Sequence, residues 1–403
     1  MRILMMSPAC PIPAQTGGLV RIERILSGLA QYHSITFVAP FEPSEKYSLQ
    51  ELTQQLPGNA VLVPTARPTA IRKFRSVLSI YPYHVSLYNE PKIASIVSRL
   101  LETEQYSLIY LHFLYTLSYI PRAVQIPVVV DQQNVDRVYW MRKASSPGGR
   151  IAWRLAAGLN LYKTIWFENR ILHRVSGYVS VSELDRKKTM VYASSRVPYF
   201  LVAPNGVDCQ YHRQRFSHAN GRHIVLGFFG SLDLALNQDA ARILCCDILP
   251  LVRAQSPDHD FSVLLIGRNP PASIQRLAAN DPSIRVTGTV EDVRPFLEQV
   301  DVLVLPLREG AGTKLRTLEA MATGLPIVGT PLAFEGIDGL VDGLTALVAK
   351  DVHMFVSAIL GLVQKPETRS AIGMNARCLV EQKFSWQSIT ERLAADLNDH
   401  FAK

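Results

Sequence analysis

Apolar residues along this chain fall into short unbroken runs separated by longer amphipathic stretches. Residues 3–6 form the first run; a loop rich in Pro, Gly and Ser follows, then a helical pattern over 19–31. There Ile22, Ile25, Leu26 and Leu29 recur at helical spacing, and Arg21, Glu23 and Arg24 are expected to face elsewhere. Further strands are predicted at 34–39, 60–63, 107–111, 127–131 and 177–181. Several are apolar without alternation, as parallel strands covered on both faces require.

A second series begins near residue 223, with strands predicted at 224–229, 261–266, 284–286, 302–305 and 326–329 and helix-like stretches between most of them. Strand-helix alternation implies a parallel sheet, and two series imply two doubly wound α/β domains. A length of 403 residues agrees, since a single core rarely grows that large. The turn signal Pro204, Asn205, Gly206 places the boundary, giving a first domain over 1–205 and a second over 206–385. Residues 386–403 read as a helix without a strand partner, expected to pack back across the first domain.

Composition changes this picture little, but charge adds to it. The hydrophobic set makes up 48% of the chain and charged residues 19%, which excludes disorder. The formal charge of +8 is unevenly spread: residues 1–200 carry +11 and residues 201–403 carry −3. Such a bias suits an anionic surface or a lipid phosphate, or simply solubilises the first half. No zinc-finger, RNP-like or continuous basic motif accompanies it, so nucleic acid is not an expected partner. Cys10, Cys209, Cys245, Cys246 and Cys378 form no CxxC pair, which fits a reducing compartment. The opening MRILMMSPAC is interrupted by Pro8 too early for a signal peptide, so the expected placement is cytoplasmic, with a possible peripheral association at the inner membrane face.

The densest chemistry lies in PLREGAGTKLRTLEAMATGLPIVGT, residues 306–330. It follows an apolar strand, so Arg308 to Lys314 fall at a strand's carboxyl end, where open parallel sheets bind ligands. Gly310 and Gly312 permit close backbone approach, and Thr313 can cap the helix that follows. Amide groups at that helix start can receive a diphosphate, with Lys314 and Arg316 adding charge. Glu319 lies five residues beyond Lys314, where a carboxylate can accept ribose hydroxyls. The plain alternative is that these charges are solvated or form surface ion pairs.

This segment resembles the donor-binding signature of GT-B family 4 glycosyltransferases, whose members read GxGTKxK followed by LEAMAxGxPVV. Supporting stretches span nearly the whole chain: the Gly-rich loop at 15–18, VSVSELD at 179–185, APNGVD at 203–208, FFGSLD at 228–233, LLIGRNP at 264–270 and VTGTVEDVRPFL at 286–297. The resemblance is to transferases of bacterial exopolysaccharide systems more than to glycogen synthases. It implies two Rossmann-like domains flanking an active-site cleft and retaining transfer of a sugar. The donor would be a UDP- or GDP-sugar and the acceptor a hydroxyl of a glycan, a lipid or a small molecule. The nucleotide-sugar is a substrate; no cofactor and no essential metal are expected. An enzymatically silent nucleotide- or glycan-binding protein and a sugar-nucleotide epimerase remain as alternatives.

The resemblance also assigns residues. Lys314 bridges the diphosphate as the chief electrostatic catalyst, with Arg316, Arg308 or Arg268 as further cations. Gly230 and Ser231 stand at the phosphate loop, Gly288 and Val290 at the base-binding edge, and Gly17 and Gly18 beside phosphates and acceptor. His112 is either an active-centre residue or a buried structural histidine. Gln133, Asn134 and Glu168 are acceptor- or sugar-proximal candidates, with Glu168 alternatively on a helix surface, and Asp292 is a ligand contact or a cap. Departures are plain: Ala311 stands where many members have the first of two glutamates, Ser231 and Leu236 replace an Arg and a Lys, and Gln132, Gln133 and Asn134 replace a loop histidine.

Two segments interleave cations and aromatic rings: AIRKFRSVLSIYPYH with Arg72, Lys73, Arg75, Phe74, Tyr81 and Tyr83, and WMRKASSPGGRIAWRL, residues 140–155, with Arg142, Lys143, Arg150, Arg154, Trp140 and Trp153. This pattern suits an anionic membrane surface, an acceptor pocket or a solvated face.

Overall fold

The computed structural model describes every residue except 15, 44–47, 67–68, 146–150, 213–220, 310–314 and 403. The chain divides into two compact units, Met1–Pro204 with Ile389–Lys403, and Asn205–Ser388. Each is built around one all-parallel sheet.

In unit 1 the strands are β1 (Arg2–Met6), β2 (Ser34–Phe41), β3 (Asn59–Pro64), β4 (Leu108–His112), β5 (Val128–Gln132), β6 (Gly177–Ser180) and β7 (Tyr199–Val202). Their order is β3-β2-β1-β4-β5-β6-β7. β1 pairs with β2 on one side and β4 on the other, with Ile3 opposite both Ile35 and Leu108. Unit 2 repeats the plan with β8 (His223–Phe229), β9 (Asp260–Ile266), β10 (Ile284–Val286), β11 (Val302–Leu305), β12 (Ile327–Gly329) and β13 (Leu347–Val348). Their order is β10-β9-β8-β11-β12-β13. In each sheet the chain first winds one way and then the other, so a topological switch point falls between β1 and β4, and between β8 and β11. Loops part there at the carboxyl ends and leave a crevice.

The unbroken apolar strands have the expected cause. β4 and β5 are buried at every position, and β11 has no exposed residue. Leu226, Val263, Leu303, Ile327 and Met321 lie within one continuous core in unit 2. In unit 1, Leu4, Val38, Ile109, Val130 and Tyr178 form the core of one face. The helix Trp386–Phe401 reaches unit 1 from Ile389 onward. Its Phe401 lies against Gly177, where an added Cβ would come within 2.9 Å of the ring, and the His400 ring lies tilted 4.4 Å from that of Tyr199.

One expectation is corrected. Arg21 does not face the polar side of its helix, Gly17–Leu29; it has no exposed surface at all. Its guanidinium reaches Asp131 at 2.8 Å and the Pro204 carbonyl at 3.0 Å. β7 and β13 were not foreseen as strands.

Candidate functional site

Unit 2 gathers candidate residues at its switch point. β8 ends at Phe229, and Gly230 follows at φ 154°, a backbone shape that L side chains rarely adopt. A Cβ at Gly230 would come within 2.5 Å of Arg316 Nη1. The glycine is thus what lets the arginine approach the backbone. Arg316 lies on the helix Leu315–Ala322, and its Nη1 donates to Asn237 Oδ1 at 2.7 Å and to the Phe229 carbonyl at 3.3 Å. Asn237 is fully buried and itself held, donating Nδ2 to the Ser231 carbonyl at 2.7 Å. The remaining N–H groups of Arg316, on Nε and Nη2, make no hydrogen bond to a described residue. A buried amide therefore fixes one edge of the guanidinium and leaves the other available.

Three residues on, one helical turn along the same face, stands Glu319, half-buried. Burial raises its pKa, opposed by the charge of Arg316. Burial likewise lowers that of Arg316, opposed by Glu319. The Glu319 carboxylate accepts no hydrogen bond from a described residue. A partly desolvated carboxylate in that state is an acceptor waiting for donors such as vicinal hydroxyls.

The neighbouring strand ends complete the rim. Gly288, at φ 72°, follows β10, and its carbonyl accepts from Thr287 Oγ1 at 3.0 Å. Val290 is half-buried against the core. Asp292 turns back on Arg294, which donates to it from both the backbone and the guanidinium. Those hydrogen bonds hold the carboxyl down at about 2. Asp292 is thus held in a local turn; the helix that follows, Arg294–Leu297, has Val293 at its N-cap and no side-chain cap. Arg308 is exposed just past β11, and Arg268 is exposed just past β9. Gly310, Gly312, Thr313 and Lys314 lie outside the described residues.

Unit 1 assembles a second group at its own switch point. Gly17 and Gly18 open the first helix, capped by Thr16, whose side chain accepts from Leu19 N at 3.4 Å. Gln133 donates Nε2 to the Gly18 carbonyl at 3.1 Å, bringing two candidates together, whereas Asn134 is exposed. His112, at the end of β4, is completely buried. Neither ring nitrogen has a hydrogen-bond partner among the described residues; Nδ1 lies 3.6 Å from Asp131, and burial takes the pKa down to about 4. Burial thus favours the neutral imidazole.

Glu168 is buried rather than on a helix surface, accepting from Arg137 Nε. Burial raises its pKa against the pull of Arg137. Close by, Asp136 accepts from Gln132 Nε2 at 3.0 Å, while Gln132 Oε1 receives Leu114 N at 2.9 Å. Burial, then the charge of Glu168, raises Asp136 to about 7. Asp136, Glu168, His84, Tyr115 and Trp140 line one small pocket beyond the ends of β4 and β5. Sequence reasoning missed Asp136 and Asn237. Asp136 has a signal in its position, two residues past the loop of Gln132, Gln133 and Asn134; Asn237 stands beside Leu236, which replaces the lysine of the resembled family.

Residues 223–365 match the family described as Glycosyl transferases group 1. A GDP-mannose-dependent monoacylated alpha-(1-6)-phosphatidylinositol monomannoside mannosyltransferase of Corynebacterium glutamicum is 26% identical over 284 residues, 62% of this chain and 68% of that protein. The capsular polysaccharide biosynthesis glycosyltransferase CapM of Staphylococcus aureus is 32% identical over 121 residues, 29% of this chain and 31% of its own. Among solved structures, sucrose-phosphate synthase of Thermosynechococcus elongatus superposes with a TM-score of 0.70 at 16% identity, covering 100% of this chain and 99% of that one. Anabaena HepE in complex with UDP and glucose superposes with a TM-score of 0.63 at 14% identity, covering 99% and 100%. The GT-B fold read from the sequence is thereby established, as is the resemblance to bacterial polysaccharide transferases.

Proposed function

Taking as premise a glycosyltransferase of the GT-B fold whose residues 223–365 carry the group 1 pattern, we propose that the chain transfers a sugar from a UDP- or GDP-linked donor, with retention, to a hydroxyl acceptor. The observation that carries this reading is the Arg316–Glu319 pair at the β8/β11 switch point. Glu319 has unfilled acceptor capacity suited to ribose hydroxyls. Arg316 is fixed where the sequence lacks the cations that Ser231 and Leu236 replace, and its unused N–H edge suits a phosphate.

Cleavage of the donor leaves negative charge on the nucleoside diphosphate and oxocarbenium-like character on the sugar. Arg316, reinforced by Lys314 and the glycine-rich turn, favours that separation electrostatically. The acceptor hydroxyl then attacks from the face the leaving phosphate vacates, keeping the anomeric configuration. The acceptor is a glycan, a lipid-linked sugar or a small molecule. The mannosyltransferase relative named for GDP-mannose and the HepE complex with UDP support a nucleotide-sugar donor without choosing the base.

Peripheral attachment at the inner membrane face belongs to the same proposal. No described helix is long and apolar enough to cross a membrane. The helix Ile151–Ile171 nevertheless exposes Ile151, Leu155, Leu159, Tyr162 and Trp166 at steps of four, four, three and four, one continuous stripe. The helix Ala70–Leu78 exposes Ile71, Phe74 and Leu78. Lys163 Nζ donates to the Val77 carbonyl at 2.9 Å and Tyr81 meets Trp166 at 6.1 Å, so the two apolar faces adjoin. Residues 69–88 and 137–171 together hold ten Lys and Arg and one acid, Glu168, which is buried against Arg137. Apolar rings among cations that outnumber acids in this way suit an anionic bilayer surface.

The test pairs the intact chain with UDP, GDP and their sugars. One nucleotide should bind and, with an acceptor, yield a product whose anomeric configuration by NMR equals the donor's; an inverted product refutes retention. Glu319→Ala should weaken nucleotide binding by about 10- to 100-fold in calorimetry, the effect of losing charge-assisted hydrogen bonds of about 1.5–3 kcal/mol. Unchanged affinity removes Glu319 from the site.

A further inference from the structure

A cavity of about 1540 Å³ opens in unit 1 beside the segments that lead into β5 and β6. It therefore lies toward the amino ends of those strands, away from the carboxyl-end pocket of Asp136 and Glu168. Val85 and Phe167 line both spaces and form the partition. Arg72, Arg75, Arg122, Arg170, Arg174 and His173 contribute to its wall, and no Asp or Glu does.

The state of these arginines is informative. Arg72 is offset by Glu90 behind the wall at 3.3 Å. Arg174 is held by the carbonyls of Ile120 at 2.9 Å and Pro121 at 3.0 Å, and Arg170 lies over the Trp166 ring at 5.7 Å. Arg75 and Arg122 have no carboxylate partner among the described residues. Arg174 and Arg122 repel each other, an effect that adds to burial in drawing the Arg174 pKa down. Guanidinium groups do not relieve such repulsion by losing protons. A concave wall of like charge concentrates anions, and the planar fork matches phosphate oxygens.

The cavity also adjoins the apolar stripe: Ile71, Tyr81 and Arg170 line it, and Tyr81 and Arg170 both contact the exposed Trp166. Resting on the membrane reading above, we infer that this cavity is a receptor for the phosphate headgroup of an anionic membrane lipid. The phosphate sits among Arg75, Arg122 and Arg174, and the acyl chains leave along Ile71, Phe74 and Trp166. Because the partition separates it from the strand carboxyl ends, the lipid anchors unit 1 and is not itself glycosylated.

Co-sedimentation of the full chain decides between a headgroup site and general attraction. Phosphatidylcholine vesicles carrying phosphatidate, whose terminal phosphate is bare, are compared with vesicles carrying phosphatidylglycerol at matched surface charge. Binding to phosphatidate should be stronger by about tenfold, the scale of one charge-assisted bond. The Arg75→Gln/Arg122→Gln variant should erase that preference while still binding both vesicles. Leu155→Ser/Leu159→Ser should lose both. Equal binding of the unaltered chain to the two vesicles overturns the receptor and leaves the membrane reading intact. If neither vesicle binds, the membrane reading fails. Calorimetry with soluble dihexanoyl phosphatidate then decides the cavity: saturable binding lost in Arg122→Gln retains a phosphate site, and none overturns it.

Discussion

Arg21 shows how one side chain can hold several strands in place. Its guanidinium has no exposed atom and bonds Asp131 through both Nε and Nη2, while Tyr110 donates its hydroxyl to the other Asp131 oxygen at 3.1 Å. Removing one partner of such a pair leaves a buried charge uncompensated, typically at a cost of about 3–5 kcal/mol. Helical periodicity assigned Arg21 to the polar side because periodicity reports direction and not enclosure. The readable sign was Asp131, a carboxylate closing the apolar run PVVVD, which needs a cation if buried. Asp136 and His112, nearby, give opposite pH dependences. Asp136 has its pKa raised to about 7 by burial and by Glu168, so the folded chain holds an extra proton and this contribution to stability is lost as pH rises toward 7. His112, lowered to about 4 by burial, contributes stability that is lost as pH falls below about 6.5. Asp136→Asn removes the first slope and keeps the second. Its melting temperature should therefore climb more steeply between pH 4 and 7 than that of the unaltered chain; superimposable profiles would mean that Asp136 is ionised throughout.

At the scale of elements, the strands inside the sheets were legible, as were the edge strands β3 and β10, whereas the edge strands β7 and β13 were not. β8, β9 and β11 are runs of large apolar residues because both faces are covered. β13 has only two residues, and its pairing with β12 fixes it as a strand where its own pattern does not. Phe200 and Leu201 of β7 read as an apolar run, but the adjacent turn signal obscured the strand. The ligand-facing ends were legible by position, since strand-loop-helix order places them. Nothing in the sequence distinguishes Arg316 from Lys314, Arg308 and Arg268 as the cation of the proposed donor site, because the Asn237 contact that fixes Arg316 joins separate helices. Helix contacts supply a prediction as well. Gly28→Ala in the first helix ought to gain up to about 1 kcal/mol in helix propensity. Its Cβ would instead fall 2.4 Å from Thr390 Cγ2. Denaturant unfolding should show a net loss of about 1–3 kcal/mol, the usual scale of overpacking. Thr390→Gly on the same background should restore part of it; no recovery would place the strain elsewhere.

Across the whole molecule, separate cores and separate sheets predict that calorimetry resolves more than one unfolding step. Ending the chain at Ser388 removes Thr390, His400 and Phe401 from their packing in unit 1. One transition should fall in temperature, and the other, identified as unit 2 by its upward shift with bound UDP or GDP, should hold. A common shift of both would show that the units melt as one body. The returning helix also bears on synthesis. Domains usually fold in the order in which they leave the ribosome. Here the earlier half of the polypeptide waits, with the grooves at Gly28 and Gly177 uncovered, until residues 389–401 emerge, so the later half is the first able to finish.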